Sequence, residues 1–152
     1  MADLSTPTVF GRSLLLGEGD LVLDNGDFLP VAGRENLFQG IQVMIHTPFA
    51  SDIFNATYGF DLLNCLAAPQ PPAVVRELIK LNVVKSLTTD SRILQIKEIV
   101  FDDEPRFYEL NPGSDPEQNL NLRQSSRRWQ AIVVAQTAQE ASVAIRIQGS
   151  GL

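Results

Sequence analysis

This chain of 152 residues contains one cysteine and one histidine. No disulfide can form within it, which fits a reducing compartment. A single thiol and a single imidazole cannot build a tetrahedral metal site. No carboxylate cluster has the spacing of a calcium loop either, so neither a metal nor a cofactor is expected. The glycines are scattered, and none of them forms a phosphate-cradling loop. No apolar run approaches the roughly 18 residues of a membrane-spanning helix. The opening MADLSTPTVFGRS lacks the basic start and apolar stretch of a secretory signal. Synthesis in the cytoplasm without membrane insertion is the expectation. Cations are also in the minority: the net charge of −6 leaves no broad basic face for nucleic acid. The one basic cluster, Arg123, Arg127 and Arg128, reads as the solvated start of a strand rather than a phosphate site.

What is present suits a folded domain. Hydrophobic residues make up 44% and charged residues 20%, enough for a core and too apolar for disorder. Residues 1–17 read as an extended arm. Two apolar-rich runs, Leu21 to Leu23 and Phe28 to Val31, flank Asn25-Gly26, a pair that tolerates the positive φ of a type I′ hairpin turn. Leu37, Ile41, Met44 and Ile45 then share one helical face, and Pro48 ends that helix. A second helix opens near Pro72 and runs to about Thr89, with Val74, Leu78 and Leu81 as its apolar stripe, widened by Val75 and Val84, and Arg76, Glu77 and Lys80 facing water. A strand forms by Glu98, and EPRFYEL continues or bends it. Asn111 to Leu122, with its prolines, glycine and amides, reads as a loop. Trp129 to Thr137 is apolar on both faces and reads as a covered central strand. Val143, Ile145 and Ile147 alternate with Ser142, Ala144, Arg146 and Gln148 as a half-buried strand. The expected architecture is α+β: an N-terminal β-hairpin, two helices and a C-terminal antiparallel three-stranded meander, in one domain over 18–152 with a loop insertion at 111–122. No internal repeat stands out.

The chemistry on offer is narrow. Cys65 and His46 could pair as thiol and base, yet Cys65 lies in LLNCLAA and reads as a small buried hydrophobe, and His46 suits a helix C-terminus. No catalytic residue is assigned to that pair. The stretch FDDEPRFYEL, Phe101 to Leu110, is more informative. Asp102, Asp103 and Glu104 supply the carboxylates that glycoside hydrolysis needs, about 5–9 Å apart and one with a raised pKa. If the strand continues, Arg106 shares a face with Glu104 and keeps it ionised, which is wrong for a general acid. A binding role uses the same atoms better. Pro105 stiffens the chain, Arg106 can grip a carboxylate with two hydrogen bonds, and Phe107 and Tyr108 stand beside them. An intramolecular ion pair at a strand bend is the plainer alternative.

The order of these pieces resembles the baseplate wedge proteins of contractile tails, a family often described as tail lysozymes and including the baseplate component of type VI secretion systems. The likeness lies in GRENLFQGIQVMIHTPFASDIFNATYGFDLLNCL, Gly33 to Leu66, with an Asn-Leu-x-Gln helix and then Tyr58, Gly59, Asp61 and Leu62. It continues through SRILQIKEIVFDDEPRFYEL to a Glu-Pro-Arg motif, Glu104, Pro105 and Arg106. Two departures stand out: the segment 111–122 intervenes after the motif, and Asp102-Asp103 makes its approach more acidic. The resemblance implies a structural protein, made in the bacterial cytoplasm and assembled into a tail or injection-system baseplate. It implies that Glu104, Pro105, Arg106 and Phe107 meet a helical bundle of larger wedge proteins. It also implies that the closing strands, through Trp129, Ile132, Val134, Val143, Ile145 and Ile147, face a sheath subunit and start its assembly by strand sharing, with tube or hub proteins as further neighbours. The alternative is a peptidoglycan hydrolase that uses Glu104 with Asp102 or Asp103.

Overall fold

Gly19, Gly26 and Gly33 are spaced seven residues apart and all have positive φ, at 91°, 90° and 67°. This spacing organises the first of two units into which the chain divides, Met1–Val43 and Met44–Leu152. The computed structural model describes residues 9–61, 70–126, 128–139 and 142–150. Within the first unit, β1 (Arg12–Leu14) pairs with β6 (Pro30–Ala32), β2 (Leu16–Gly17) with β3 (Asp20–Leu21), and β4 (Leu23–Asp24) with β5 (Asp27–Phe28), all antiparallel. The expected hairpin at Asn25-Gly26 is present, with φ of 52° and 90°, the two positive values of a type I′ turn. A second such turn lies at Glu18-Gly19, with φ of 52° and 91°. Part of the segment expected to be a bare arm is therefore paired strand.

The three ribbons meet in a closed ring of backbone hydrogen bonds. The Leu15 N–H donates to the Leu29 carbonyl (2.7 Å), the Val22 N–H to the Leu15 carbonyl (3.0 Å), and the Leu29 N–H to the Val22 carbonyl (3.0 Å). Leu15, Val22 and Leu29 again stand seven apart. The chain thus carries a short internal repeat, LLLGEGD, LVLDNGD and FLPVAGR, which the sequence reading did not detect. The ring gives partners to backbone groups that a single isolated hairpin would leave to water.

Helix α1 (Gly33–His46) follows the third glycine. Its Asn-Leu-x-Gln stretch stitches the ribbons down. Asn36 donates from Nδ2 to the Phe10 carbonyl (2.8 Å) and accepts from the Ser13 hydroxyl (2.6 Å). The Gln39 amide donates to the Leu14 carbonyl (2.8 Å) and accepts from the Leu16 N–H (2.9 Å). A side-chain amide carries both a donor and an acceptor, so it can stand in for a backbone strand here.

The second unit is built on a three-stranded antiparallel sheet in the order β7 (Ile93–Phe101), β8 (Arg128–Thr137), β9 (Val143–Ser150). The chain is α+β, with the expected meander at its C-terminal end. β8 is central and is buried on both faces from Ala131 to Ala135. β9 buries Val143, Ile145 and Ile147 and exposes the residues between them. One sheet face carries Phe101, Trp129, Val133 and Ile145 in register. Helix α2 (Pro72–Leu87) packs on that side, with Arg76 and Lys80 over the Phe101 ring at 5.2 and 5.8 Å. Its buried stripe is Val75, Ile79, Val83 and Leu87, while Val74 and Leu81 are exposed. Of the expected stripe Val75 is buried, while Val84 is exposed with Val74 and Leu81, because VVRELIKLNVV is apolar around most of the helix and periodicity alone does not choose a face.

Two further helices correct the reading of 102–126. Residues Pro105–Leu110 form helix α3, not a continued strand, and Pro116–Ser126 form helix α4 inside the segment read as a loop. Each opens on a proline, whose fixed φ and missing N–H suit the first helical turn. Leu62 to Pro69, with Cys65 of the considered thiol–imidazole pair, lie outside the described residues.

Candidate functional site

The acidic stretch sits at the turn between β7 and α3. Glu104 is the residue before the first helical turn (φ −96°, ψ 136°). Its carboxylate reaches back, with Oε1 accepting the Phe101 N–H at 3.1 Å. The Glu104 N–H donates to the Phe101 carbonyl and the Phe107 N–H to the Glu104 carbonyl, both at 3.0 Å. Glu104 therefore closes the turn on itself. Phe107 is fully buried with Val100, Ile132 and Val134 on the second sheet face, where Tyr108 and Leu110 pack against them. Phe107 and Tyr108 meet edge to face at 5.3 Å, and the Tyr108 hydroxyl donates to the Asp102 carbonyl at 2.5 Å.

Arg106 points the other way. Its side chain is 52% exposed and pairs with Glu109 at 2.9 Å and Glu98 at 3.4 Å. Hydrogen bonding from Glu109 and the charge of Glu98 raise its pKa above the ordinary value. The expected partnership with Glu104 does not form, because a helix start rather than a strand separates their directions. Pro105 is exposed between them.

Asp102 and Asp103 are both engaged by arginines. Asp102 is buried; its Oδ1 pairs with Arg123 and its Oδ2 accepts the Gln130 N–H at 3.3 Å. Asp103 pairs with Arg76, and with Arg123 Nη1 at 3.3 Å. The four charges alternate in sign and join α2, the turn and α4. Arg123 was expected on a solvated strand start; it lies on α4, turned inward. Burial and the nearby Arg76 guanidinium push its pKa below the ordinary value, and the two carboxylates oppose that push. Arg76, Glu98, Glu109 and Arg123 were not singled out as one site. Their grouping depends on two helices whose existence the prolines hid.

The Tyr-Gly stretch is stitched to the end of α1. The Phe60 N–H donates to the Thr47 carbonyl (2.9 Å), the Phe49 N–H to the Phe60 carbonyl (3.2 Å) and the Ser86 hydroxyl to the Gly59 carbonyl (2.9 Å). Gly59 has φ of 106°, and a Cβ there would lie 2.7 Å from the carbonyl oxygens of both Thr47 and Pro48. Gly59→Ala is expected to destabilise the protein by about 2–4 kcal/mol, from left-handed strain plus overpacking against rigid backbone. The urea midpoint would report it; an unchanged midpoint would mean that this loop is not closed in solution. At the loop tip Ile53 and Phe54 are 88% and 93% exposed. Asp52 and Asn55 hold the tip by accepting the Phe54 and Thr57 N–H groups.

The six residues expected to face a sheath subunit, Trp129, Ile132, Val134, Val143, Ile145 and Ile147, are all buried within this chain. Their side chains form its own core, because β8 is central and β9 turns its apolar face inward. Among the described residues β7 and β9 are the outer strands of the sheet, each laddered to β8 on one side only.

A cleft of about 220 Å³ opens beside Asp102, Tyr108 and Arg123, and another of about 290 Å³ beside His46, Trp129 and Gln148. Both fall below the roughly 300 Å³ at which small-molecule sites begin. Among the described residues no group of histidine, cysteine and carboxylate side chains could hold a metal ion, and no helix is long and apolar enough to cross a membrane. No protein-family model matches the chain, and no curated protein matches its sequence.

Proposed function

We propose that this chain is a structural component of a contractile-tail or injection-system baseplate, joining a bundle of larger wedge proteins to the sheath. The observation that carries the reading is the mounting of Arg106. A buried phenylalanine one residue on and a hydrogen-bonded Glu104 two residues back fix the helix start, while the guanidinium itself stays out in solvent. A pre-oriented arginine of this kind can exchange its exposed intramolecular carboxylates for a partner's. The place of β9 as an outer strand of the sheet among the described residues is the second support, since a sheet edge is a template for an added strand. The exposed Ile53 and Phe54 add an apolar contact on an ordered loop.

The hydrolase reading has less to stand on. Asp102 and Asp103 are held by guanidinium groups, which favour the charged form, and Glu104 is tied to the Phe101 backbone. The test is co-purification with the larger wedge proteins. Arg106→Ala and the double variant Glu104→Ala, Arg106→Ala are both expected to fold, by circular dichroism, and to lose the complex. Unimpaired binding by both folded variants would make the motif an internal brace. Clearing of a cell-wall suspension by wild type but not by Glu104→Gln would then favour the hydrolase.

A further inference from the structure

Among the described residues the three-ribbon unit exposes one apolar surface. Leu16 faces Leu21, Leu23 faces Phe28 and Leu14 faces Pro30 across the three ladders. Residues directly opposite each other on paired strands share a face, and so do residues two apart along an extended strand. The pairs therefore link through Leu14–Leu16, Leu21–Leu23 and Phe28–Pro30 into a closed apolar ring. Leu14, Leu21, Leu23 and Phe28 are 45%, 39%, 58% and 52% exposed. Isolated exposed leucines need no explanation; six apolar side chains in one continuous ring do. The ring is also rigid, because each ribbon is tied to the next by the central hydrogen bonds and two of the turns are type I′.

The ribbon tips carry charge of one sign. Glu18 and Asp20 flank one turn, Asp24 and Asp27 the other, and all four are exposed. None of them is in an ion pair among the described residues. Two copies of this chain meeting ring to ring would bring eight carboxylates to one interface, where like charges oppose association. An anionic membrane or a nucleic acid would be repelled in the same way. We propose that this ring is a docking surface for another protein, one that presents an apolar patch flanked by lysine or arginine side chains reaching the two acidic tips. The inference is independent of the baseplate reading and concerns the other unit of the chain.

The test places a photo-crosslinking phenylalanine at Leu21 in the full-length chain, made in its own cell, and identifies the adducts by mass spectrometry. The expected product is a single partner protein joined through an apolar peptide with flanking Lys or Arg. Its yield should fall about tenfold or more in Leu23→Glu, Phe28→Glu, as expected for loss of central apolar contacts. It should fall similarly in Asp24→Lys, Asp27→Lys, which leaves the apolar ring intact. Circular dichroism should be unchanged in both. Sedimentation velocity of the purified wild type should show a monomer. Adducts confined to this chain together with a concentration-dependent dimer would make a second copy the occupant and overturn the proposal. Lipid adducts, no adduct, or a partner adduct indifferent to the charge reversal would overturn it as well.

Discussion

Phe107→Ala should lower the folding free energy by about 3–5 kcal/mol, the usual cost of emptying a buried aromatic site. Arg106→Ala, at the adjacent position, should leave it nearly unchanged, because water screens an exposed ion pair. The contrast follows from the helical turn that replaces the expected strand. In a strand, Arg106 and Phe107 would simply face opposite ways from an extended backbone. In α3, Phe107 is driven between Val100, Ile132 and Val134, while Arg106 stays 52% exposed. Phe107 was expected to contact a partner; in the structure it is buried and anchors the helix that carries Arg106. Urea unfolding would measure both variants, with the slope unchanged if only stability is affected. A wild-type midpoint for Phe107→Ala combined with loss of partner binding would mean that the phenylalanine is available to a partner after all. The practical consequence is that a docking screen which includes position 107 would report folding defects as binding defects.

The same segment explains what could be read from the sequence and what could not. β8 and β9 were legible because alternation and burial act at short range: IVV is covered on both faces wherever it is placed centrally, and Val143, Ile145 and Ile147 alternate with Ser142, Ala144, Arg146 and Gln148. The Asn25-Gly26 turn was legible because few residue pairs accept two positive φ angles. The Glu18-Gly19 turn was not, since glutamate gives no such signal; the repeat becomes visible only when the glycine spacing is combined with the recurring apolar pairs. α3 was missed because Pro105 was read as a strand breaker rather than as the first residue of a helix. α4 was missed because PEQNLNLRQSS is polar all round and has no stripe to betray it. The candidate site depends on both. Glu104, Pro105 and Arg106 could be picked out by residue type, but Glu104's tie to Phe101 follows from the turn itself, and the capture of Asp102 and Asp103 by Arg76 and Arg123 arises only once α2 and α4 converge on it.

That convergence makes Asp102 the most sensitive charge in the second unit. Asp102→Ala should destabilise the protein by about 3–5 kcal/mol, because it leaves the inward-turned Arg123 without its main partner; breaking one side of a buried pair costs more than the pair itself contributes. It also removes the acceptor of the Gln130 N–H. Asp103→Ala should cost about 1 kcal/mol or less, since its side chain is 35% exposed and water screens what it leaves behind. Replacing both partners, as Asp102→Ala with Arg123→Met, should recover part of the loss, because no uncompensated charge then remains. A double-mutant cycle by urea unfolding would measure the coupling, and added salt should alter it little. A near-zero coupling would mean that Arg123 is solvated and that α4 does not dock on the turn. The result also decides how the hydrolase alternative can be tested. A variant at Asp102 that lost cell-wall clearing would be uninformative, since it would have lost stability as well as a carboxylate. Glu104→Gln keeps an oxygen to accept the Phe101 N–H while removing the acid, so only that substitution separates catalysis from architecture at this turn.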